Sequence, residues 1–152
     1  MSRKNKALGI GNAIVDAVSK IDENFLKIHN LQKGTMKLIN QKELNNFQKE
    51  IKVSDFIAGG SVANTMVGLA SLGNSVYFFG KVNNDLFGKK YFESLKKESV
   101  GFNFDDKIYE DSTGICFVFI TPDGERTMST HLGIANKLRE KEIDNKQIEI
   151  SE

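Results

Sequence analysis

Residues 58–80, AGGSVANTMVGLASLGNSVYFFG, decide how this chain folds, because they contain no charged residue in a chain that is 27% charged. The stretch is long enough to span a bilayer. However, it contains two asparagines, three serines and five glycines but only two leucines, and Gly59, Gly60 and Gly73 divide it into pieces. We therefore predict a buried helix and a buried strand here, and no membrane span.

The bulk composition is that of an ordinary globular protein of 152 residues, which is one domain or a piece of one. A net charge of +1 gives no electrostatic reason to expect nucleic acid or an anionic membrane as a partner. Cys116 is the one cysteine, which excludes an internal disulfide, and a count of two histidines argues against a classical zinc site. We expect a reducing, cytoplasmic environment. Asn12 and Asp16 interrupt the apolar run near the amino end, so we expect no signal peptide.

Short strands and helices alternate along the chain, which predicts an α/β fold with a parallel sheet. In the neutral stretch we predict a helix with Ser61 as its N-cap and Gly73 just after its end. A later amphipathic helix has Leu86, Phe87, Phe92 and Leu95 as its apolar residues. We predict strands over 7–11, 36–39, 55–58 and 75–80, an extended segment over 13–21, helices over 25–29, 41–50, 61–72 and 85–98, and an exposed helix over 137–152. The TPDG turn predicts a hairpin of residues 115–120 and 126–132, which with the early extended segments favours a second, small β-sheet.

Two familiar phosphate-binding motifs are absent. GIGNAIVD has Ile14 where the dinucleotide fingerprint needs its third glycine. FGKV, at residues 79–82, lacks the earlier glycine and the hydroxyl residue of a P-loop.

A group of polar residues nevertheless indicates a ligand site. Asn12 and Asp16 follow the first strand, where ligands bind in α/β folds. Gly59 and Gly60 allow close approach of the backbone, and Asn64 lies in the first turn of the next helix, beside free N–H groups. These groups suit a polyhydroxyl ligand such as a sugar or ribose. The residues alone leave open simpler roles: Asp16 ending a strand, Asn64 capping a helix, and the glycines forming a tight turn.

The order of several motifs resembles the ribokinase-like (PfkB) family of carbohydrate and nucleoside kinases. The matching stretches are GNAIVD, GGSVANT, GKVNNDLFGKKYFESLKKESV, STGICFVFITPDGERTM and HLG. They cover the chain to about residue 137, and their spacing is most similar to that of the adenosine kinase-like branch. Val62 and Asn83 depart from the family pattern, which usually has a smaller residue at the first position and glycine at the second.

The resemblance implies a ribokinase-like α/β fold with a partial parallel sheet, helices and a small β-sheet lid. We expect the core in residues 7–12, 59–101 and 133–152, and the lid in residues 13–58 and 102–132.

The resemblance also implies roles for individual residues. Asn12, Asp16 and Asn64 would bind sugar hydroxyls, and Arg126 would assist lid closure or charge neutralisation. The remaining substrate-binding residues would be Gly59, Gly60 and Ser61 on the pocket floor, and Cys116, Met128 and Leu132 facing a base or sugar. For Cys116, a small core residue in a strand is the favoured interpretation over a reactive thiol.

The family's GAGD-like motif, which carries its anion hole and catalytic base, is absent from this sequence. The chain therefore resembles the amino-terminal, substrate-binding half of an adenosine kinase-like enzyme that transfers a γ-phosphoryl group to a primary hydroxyl. We expect no catalytic base or metal ligand within it. ATP and Mg²⁺ would serve the complete enzyme, and the chain alone would be inactive. Two alternatives stay open: a ribokinase- or fructokinase-type sugar kinase, and a non-catalytic remnant that binds a ligand or dimerises. Homodimer contacts would use the lid sheet or an exposed sheet edge.

Overall fold

A computed structural model of the protein describes residues 6–151. Two parts of the chain lie outside this range. They are residues 1–5, a basic start of the kind that signal peptides have, and residue 152, the last residue of the expected core. The described chain forms two β-sheets with helices packed against them, as the α/β prediction requires.

The smaller sheet has three parallel strands in the order β1-β5-β6. These strands are β1 (Ala7–Ile10), β5 (Val76–Phe79) and β6 (Val100–Phe102). The first two were predicted from apolar runs. The third was not predicted, because three residues with a central glycine give no recognisable alternation, and its strand conformation depends on pairing with β5.

The larger sheet has five strands in the order β3-β8-β7-β2-β4 and is mixed. Its strands are β2 (Ile14–Lys20), β3 (Met36–Leu38), β4 (Asp55–Gly59), β7 (Gly114–Ile120) and β8 (Arg126–His131). The β2–β7 and β3–β8 pairs are parallel, whereas β2–β4 and the predicted β7–β8 hairpin are antiparallel. Sequence-distant segments therefore build one sheet.

Five α-helices accompany the sheets within the described residues: α1 (Glu23–Ile28), α2 (Gln41–Glu50), α3 (Ser61–Ser71), α4 (Leu86–Lys97) and α5 (Asn145–Glu149). Helix α2 has the predicted bounds, and Asn40 and Glu43 form a capping box at its start. The long helix predicted over residues 137–152 is wrong. That region instead contains the end of a 3₁₀ segment (Gly133–Lys137), a second one (Glu140–Glu142) and α5, whose residues are not buried. Its charged sequence offers too few apolar side chains to hold a long helix against the core.

The start of α3 corrects one prediction. Gly60, with φ of +96°, is the N-cap, and Ser61 is the first helical residue, with no side-chain capping bond. A Cβ atom on Gly60 would lie 2.5 Å from the carbonyl oxygen of Asn12. This close approach and the positive φ both require glycine. The helix ends before Gly73, which has φ of +84°, as predicted.

Of the apolar residues predicted for α4, Leu95 is buried and Phe87 packs against the core, but Leu86 does not. Tyr91 and Leu95 are fully buried, whereas Leu86 is 65% exposed. Because successive residues are about 100° apart around a helix, Leu86 lies nearly opposite Gly88, which faces the interior. The buried stripe therefore follows Gly88, Tyr91 and Leu95.

Two hydrophobic cores meet where Phe56 and Phe87 pack together, with ring centroids 5.4 Å apart. One core joins the three-stranded sheet to α3 and α4. The other fills the space between the five-stranded sheet and helices α1 and α2. The aromatic contact makes the two layers continuous.

A buried polar cluster, which we call the clasp (Asn83, Asp85 and Thr113), ties the segment after β5 to the start of β7. Asp85 accepts hydrogen bonds from the Thr113 hydroxyl at 2.7 Å, the Thr113 N–H at 2.8 Å and the Gly88 N–H at 2.8 Å. The Asn83 side chain accepts from the N–H of Tyr109 and donates to two carbonyls in the same segment. These bonds give a structural reason for asparagine at a position where the family usually has glycine.

Gly88 packs so tightly against the clasp that it provides a stability test. A Cβ atom there would lie 1.9 Å from the Asn83 carbonyl oxygen, whereas one on Gly68, also helical, meets nothing within 4 Å. We expect Gly88→Ala to lower the free energy of unfolding by roughly 3 kcal/mol through overpacking. Gly68→Ala should raise it by about 0.5–1 kcal/mol through helix propensity. Urea denaturation followed by circular dichroism measures both, and equal effects would contradict this account.

Candidate functional site

The five-stranded sheet has one face covered by helices and one that is more open. Ala17, Ile115 and Phe117 point toward α1 and α2. The opposite face, which we call the open face, carries the row Asp16, Cys116 and Thr130 across three neighbouring strands. The row thus places a carboxylate, a thiol and a hydroxyl side by side on one face of the sheet.

Asp16 lies within β2, opposite Ile57 of β4. Asp16 follows β1 in the chain, as expected, but it lies inside the next strand, within the segment 13–21 that was predicted to be extended. The chain bends after β1, and β2 joins the larger sheet through its pairing with β4 and β7. Asn12 does lie in the short connection between β1 and β2.

The diglycine turn (Gly59 and Gly60) packs directly against these two polar residues. A Cβ atom on Gly59 would lie 2.5 Å from the carboxyl carbon and both carboxyl oxygens of Asp16. The next glycine meets the backbone of Asn12 in the same way. The structure therefore brings the first polar segment and the turn into direct contact, because any side chain on Gly59 would occupy the position of the carboxylate.

Burial raises the pKa of Asp16 from 3.8 to about 6, and the positive charge of Arg126 partly opposes this shift. Arg126 is exposed and belongs to the same face, because it alternates with Met128 and Thr130 along β8. Burial is also the main cause that raises the pKa of the Cys116 thiol to about 11. The thiol is therefore protonated at neutral pH, which matches a small core residue better than a nucleophile.

The three residues expected to face a base or sugar share one apolar cluster. Cys116, Met128 and Leu132 pack with Ile14 and Val118 on the open face. Cys116 is only 6% exposed, whereas the other two are partly buried. They can offer a ligand an apolar surface beside Asp16.

Asn64 and Ser61 lie in the first turn of α3, and both are exposed. The Asn64 N–H donates to the Gly60 carbonyl at 2.9 Å, whereas the N–H groups before it in this turn lack helical partners. Asn12 is exposed and lines a hollow of about 170 Å³ between β1 and the 3₁₀ segment Gly133–Lys137. Asn136, which also lines this hollow, was not among the predicted site residues.

Tyr91 is a second residue that the sequence reasoning missed. It is fully buried, and its hydroxyl donates to the Gly59 carbonyl at 3.1 Å. Its position four residues after Phe87 and four before Leu95 is the signal that could have placed it on the buried face of α4.

Within residues 6–151, no group of three His, Cys, Asp or Glu side chains is arranged to hold a metal ion. Over the same residues, the helices are all too short or too polar to cross a lipid bilayer. The site is therefore described by Asp16, the diglycine turn and the surrounding apolar surface.

The chain is similar in sequence and in fold to several nucleoside and sugar kinases. The chain is 27% identical over 138 residues to adenosine kinase 2 of Arabidopsis thaliana, covering 85% of this chain and 38% of the relative. It is 35% identical over 96 residues to probable fructokinase-7 of the same plant, covering 60% of this chain and 27% of the relative. A solved structure of adenosine kinase from Sinorhizobium meliloti superposes on this chain with a TM-score of 0.88 and a sequence identity of 33%. The match covers 98% of this chain and 46% of that chain.

The chain thus spans less than half the length of these relatives. Its fold is the ribokinase-like fold of the adenosine kinase structure. Residues 35–152 match the family described as pfkB family carbohydrate kinase, and the protein therefore belongs to that family.

Proposed function

We propose that this chain forms the substrate-binding half of an adenosine kinase-like enzyme, which transfers the γ-phosphoryl group of ATP to a primary hydroxyl of a nucleoside. The observation that carries the proposal is the contact of the Asp16 carboxylate with Gly59, beside the start of α3. It puts a hydrogen-bond acceptor and a helix amino end at one place on the open face.

The chemistry of these groups suits vicinal hydroxyls. A carboxylate accepts hydrogen bonds with both oxygens, so Asp16 can bind two adjacent hydroxyls of a ribose at once. Asn12 and Asn64 add amide donors and acceptors, while Gly59, Gly60 and Ser61 form the floor. Because the ligand is a neutral polyol, its recognition depends on hydrogen bonds more than on net charge.

The apolar surface beside Asp16 favours a nucleoside over a simple sugar. Cys116, Met128 and Leu132 belong to one apolar cluster, and Cys116 lies opposite the carboxylate-bearing residue on the neighbouring strand. A purine base stacks well on such a surface, whereas a hexose would leave it partly exposed. The alternative, a fructokinase- or ribokinase-type enzyme, is supported by the 35% identity to probable fructokinase-7.

In this proposal the five-stranded sheet is a lid over the substrate, and phosphoryl transfer takes place with groups outside this chain. ATP and Mg²⁺ would be held there, since the sequence lacks a GAGD motif and residues 6–151 do not group metal ligands. Arg126, exposed on the lid, would neutralise charge near the transferred group.

The first test is activity and binding of the 152-residue chain. We expect no measurable phosphorylation of adenosine, ribose or fructose by ATP and Mg²⁺, because positioning of the phosphoryl group needs the missing motif. Isothermal titration should still detect adenosine, more tightly than ribose or fructose. Robust turnover would contradict the half-enzyme proposal. Tighter binding of fructose would favour the sugar kinase, and absence of all binding would favour a non-catalytic remnant.

The second test uses the pH dependence of Asp16. Its pKa of about 6 in the folded state lies above the ordinary 3.8, so its contribution to stability is present below about pH 4 and is lost as the pH rises to about 6. We expect Asp16→Asn to exceed the wild type in free energy of unfolding at pH 7.5 while binding adenosine at least roughly tenfold more weakly. Wild-type affinity should increase from pH 5 to pH 7 as the carboxyl ionises.

Asp55→Asn is the matched control, because Asp55 is an exposed carboxylate on the neighbouring strand β4. It should change neither adenosine affinity nor the pH dependence of unfolding. An Asp16→Asn protein that binds adenosine like the wild type would remove the basis of the proposed site.

We also propose that the open face or a free sheet edge forms homodimer contacts. Met36, Leu38 and Ile57 are each about half exposed there, and β1 and β6 are outer strands of the smaller sheet. Light scattering should give twice the chain mass of 17.0 kDa. Leu38→Lys should reduce that mass if the open face is used, whereas Leu72→Lys on α3 should not. A monomer at every concentration would contradict the proposal.

A further inference from the structure

The hydroxyl of Tyr91 has a specific partner in the site. Tyr91 projects from the buried stripe of α4, and its hydroxyl donates to the Gly59 carbonyl at 3.1 Å. Within residues 6–151, strand β4 is an outer strand whose only partner is β2. The tyrosine therefore satisfies a backbone acceptor at the end of an edge strand, where the diglycine turn begins.

On its other side, Gly59 touches Asp16. All three atoms of the carboxyl group lie 2.5 Å from the position that a Cβ atom on Gly59 would take. Tyr91, Gly59 and Asp16 thus form a continuous series from the core to the open face. A displacement of the turn changes the space available to the carboxylate.

The ring and the hydroxyl of Tyr91 have separable roles. The ring packs against Phe102 and Phe78, with centroid distances of 5.6 and 6.4 Å. Burial first, and the nearby charge of Asp16 second, raise the pKa of Tyr91, so its hydroxyl stays protonated and available as a donor. Removing only the hydroxyl would preserve the packing and leave the Gly59 carbonyl without this donor.

We propose that Tyr91 is a positioning residue, whose hydroxyl holds the diglycine turn against Asp16 and thereby fixes the half-buried carboxylate for binding hydroxyls. The inference rests on the proposed function for its ligand, but its central claim concerns the state of Asp16 and is measurable without ligand. Tyr91 itself does not need to touch the substrate.

The test compares Tyr91→Phe with Tyr109→Phe. Tyr109 donates its hydroxyl to Asp105 at 2.9 Å, on the segment before β7, so the control loses an equivalent bond elsewhere. In protein labelled with ¹³C at aspartate carboxyl groups, NMR titration gives the titration midpoint of Asp16, the pH at which its carboxyl group is half ionised. The Asp16→Asn variant assigns the signal. Isothermal titration with adenosine gives the affinity of each protein.

We expect Tyr91→Phe to lower the Asp16 midpoint from about 6 by at least roughly half a pH unit, because a relaxed turn admits water to the carboxylate. The other groups that influence Asp16, Arg126 and Cys116, are unchanged in both variants. Adenosine affinity should fall roughly three- to tenfold. Tyr109→Phe should leave both quantities at their wild-type values.

An unchanged Asp16 midpoint in Tyr91→Phe would overturn the inference and leave Tyr91 a packing residue. A shifted midpoint with no adenosine binding by the wild type would support the positioning role while rejecting the proposed function. If the phenylalanine variant does not fold, Tyr91→Met gives the same comparison, since methionine fills irregular space without a hydroxyl.

Discussion

The close contact between the Asp16 carboxyl group and Gly59, which has no side chain, is the constraint on which the rest of the site depends. Asp16 occupies the volume that a side chain on Gly59 would fill, and the adjacent turn closes on the backbone of Asn12. This arrangement lies at the end of the β2–β4 pairing, directly before α3 begins, and it partly removes a charge from water. An isolated aspartate in that setting opposes folding, because burial favours its neutral form. The ligand recognition proposed for Asp16 would therefore come at a cost to stability.

The two sheets contribute differently to this arrangement. The parallel sheet, with α3 and α4, supplies a packed base from which the turn projects, and the larger sheet carries the carboxylate and its apolar surroundings. The clasp and the Phe56–Phe87 contact join them at two separate places. Binding groups from both layers can therefore meet at one surface while each layer keeps its own hydrophobic core.

Much of the fold was predictable because the signals are local. The apolar spacing of α2, the glycine after α3 and the TPDG turn each determine a structure within a few residues. The incorrect predictions concern elements whose structure depends on contacts with residues distant in sequence. Gly60 rather than Ser61 caps α3 because the turn must pass close to Asn12, and β6 exists through its pairing with β5. For the site, residue types predicted Asp16 and the glycines. The buried tyrosine was missed because the predicted apolar face of α4 included the exposed Leu86 and left out Tyr91.

The strand order of the larger sheet has a consequence for synthesis of the chain on the ribosome. Where β2 pairs with β7, Ile14 lies opposite Gly114 and Lys20 lies opposite Ile120. The paired residues are therefore one hundred positions apart in the sequence. Until the later strand emerges, β2 has only β4 beside it, and a long unpaired edge faces solvent in the nascent chain. Such long-range pairing slows folding and prolongs exposure to aggregation. The three strands of the smaller sheet that the structure describes all precede residue 103, so they can pair first and provide a template for the late-arriving hairpin.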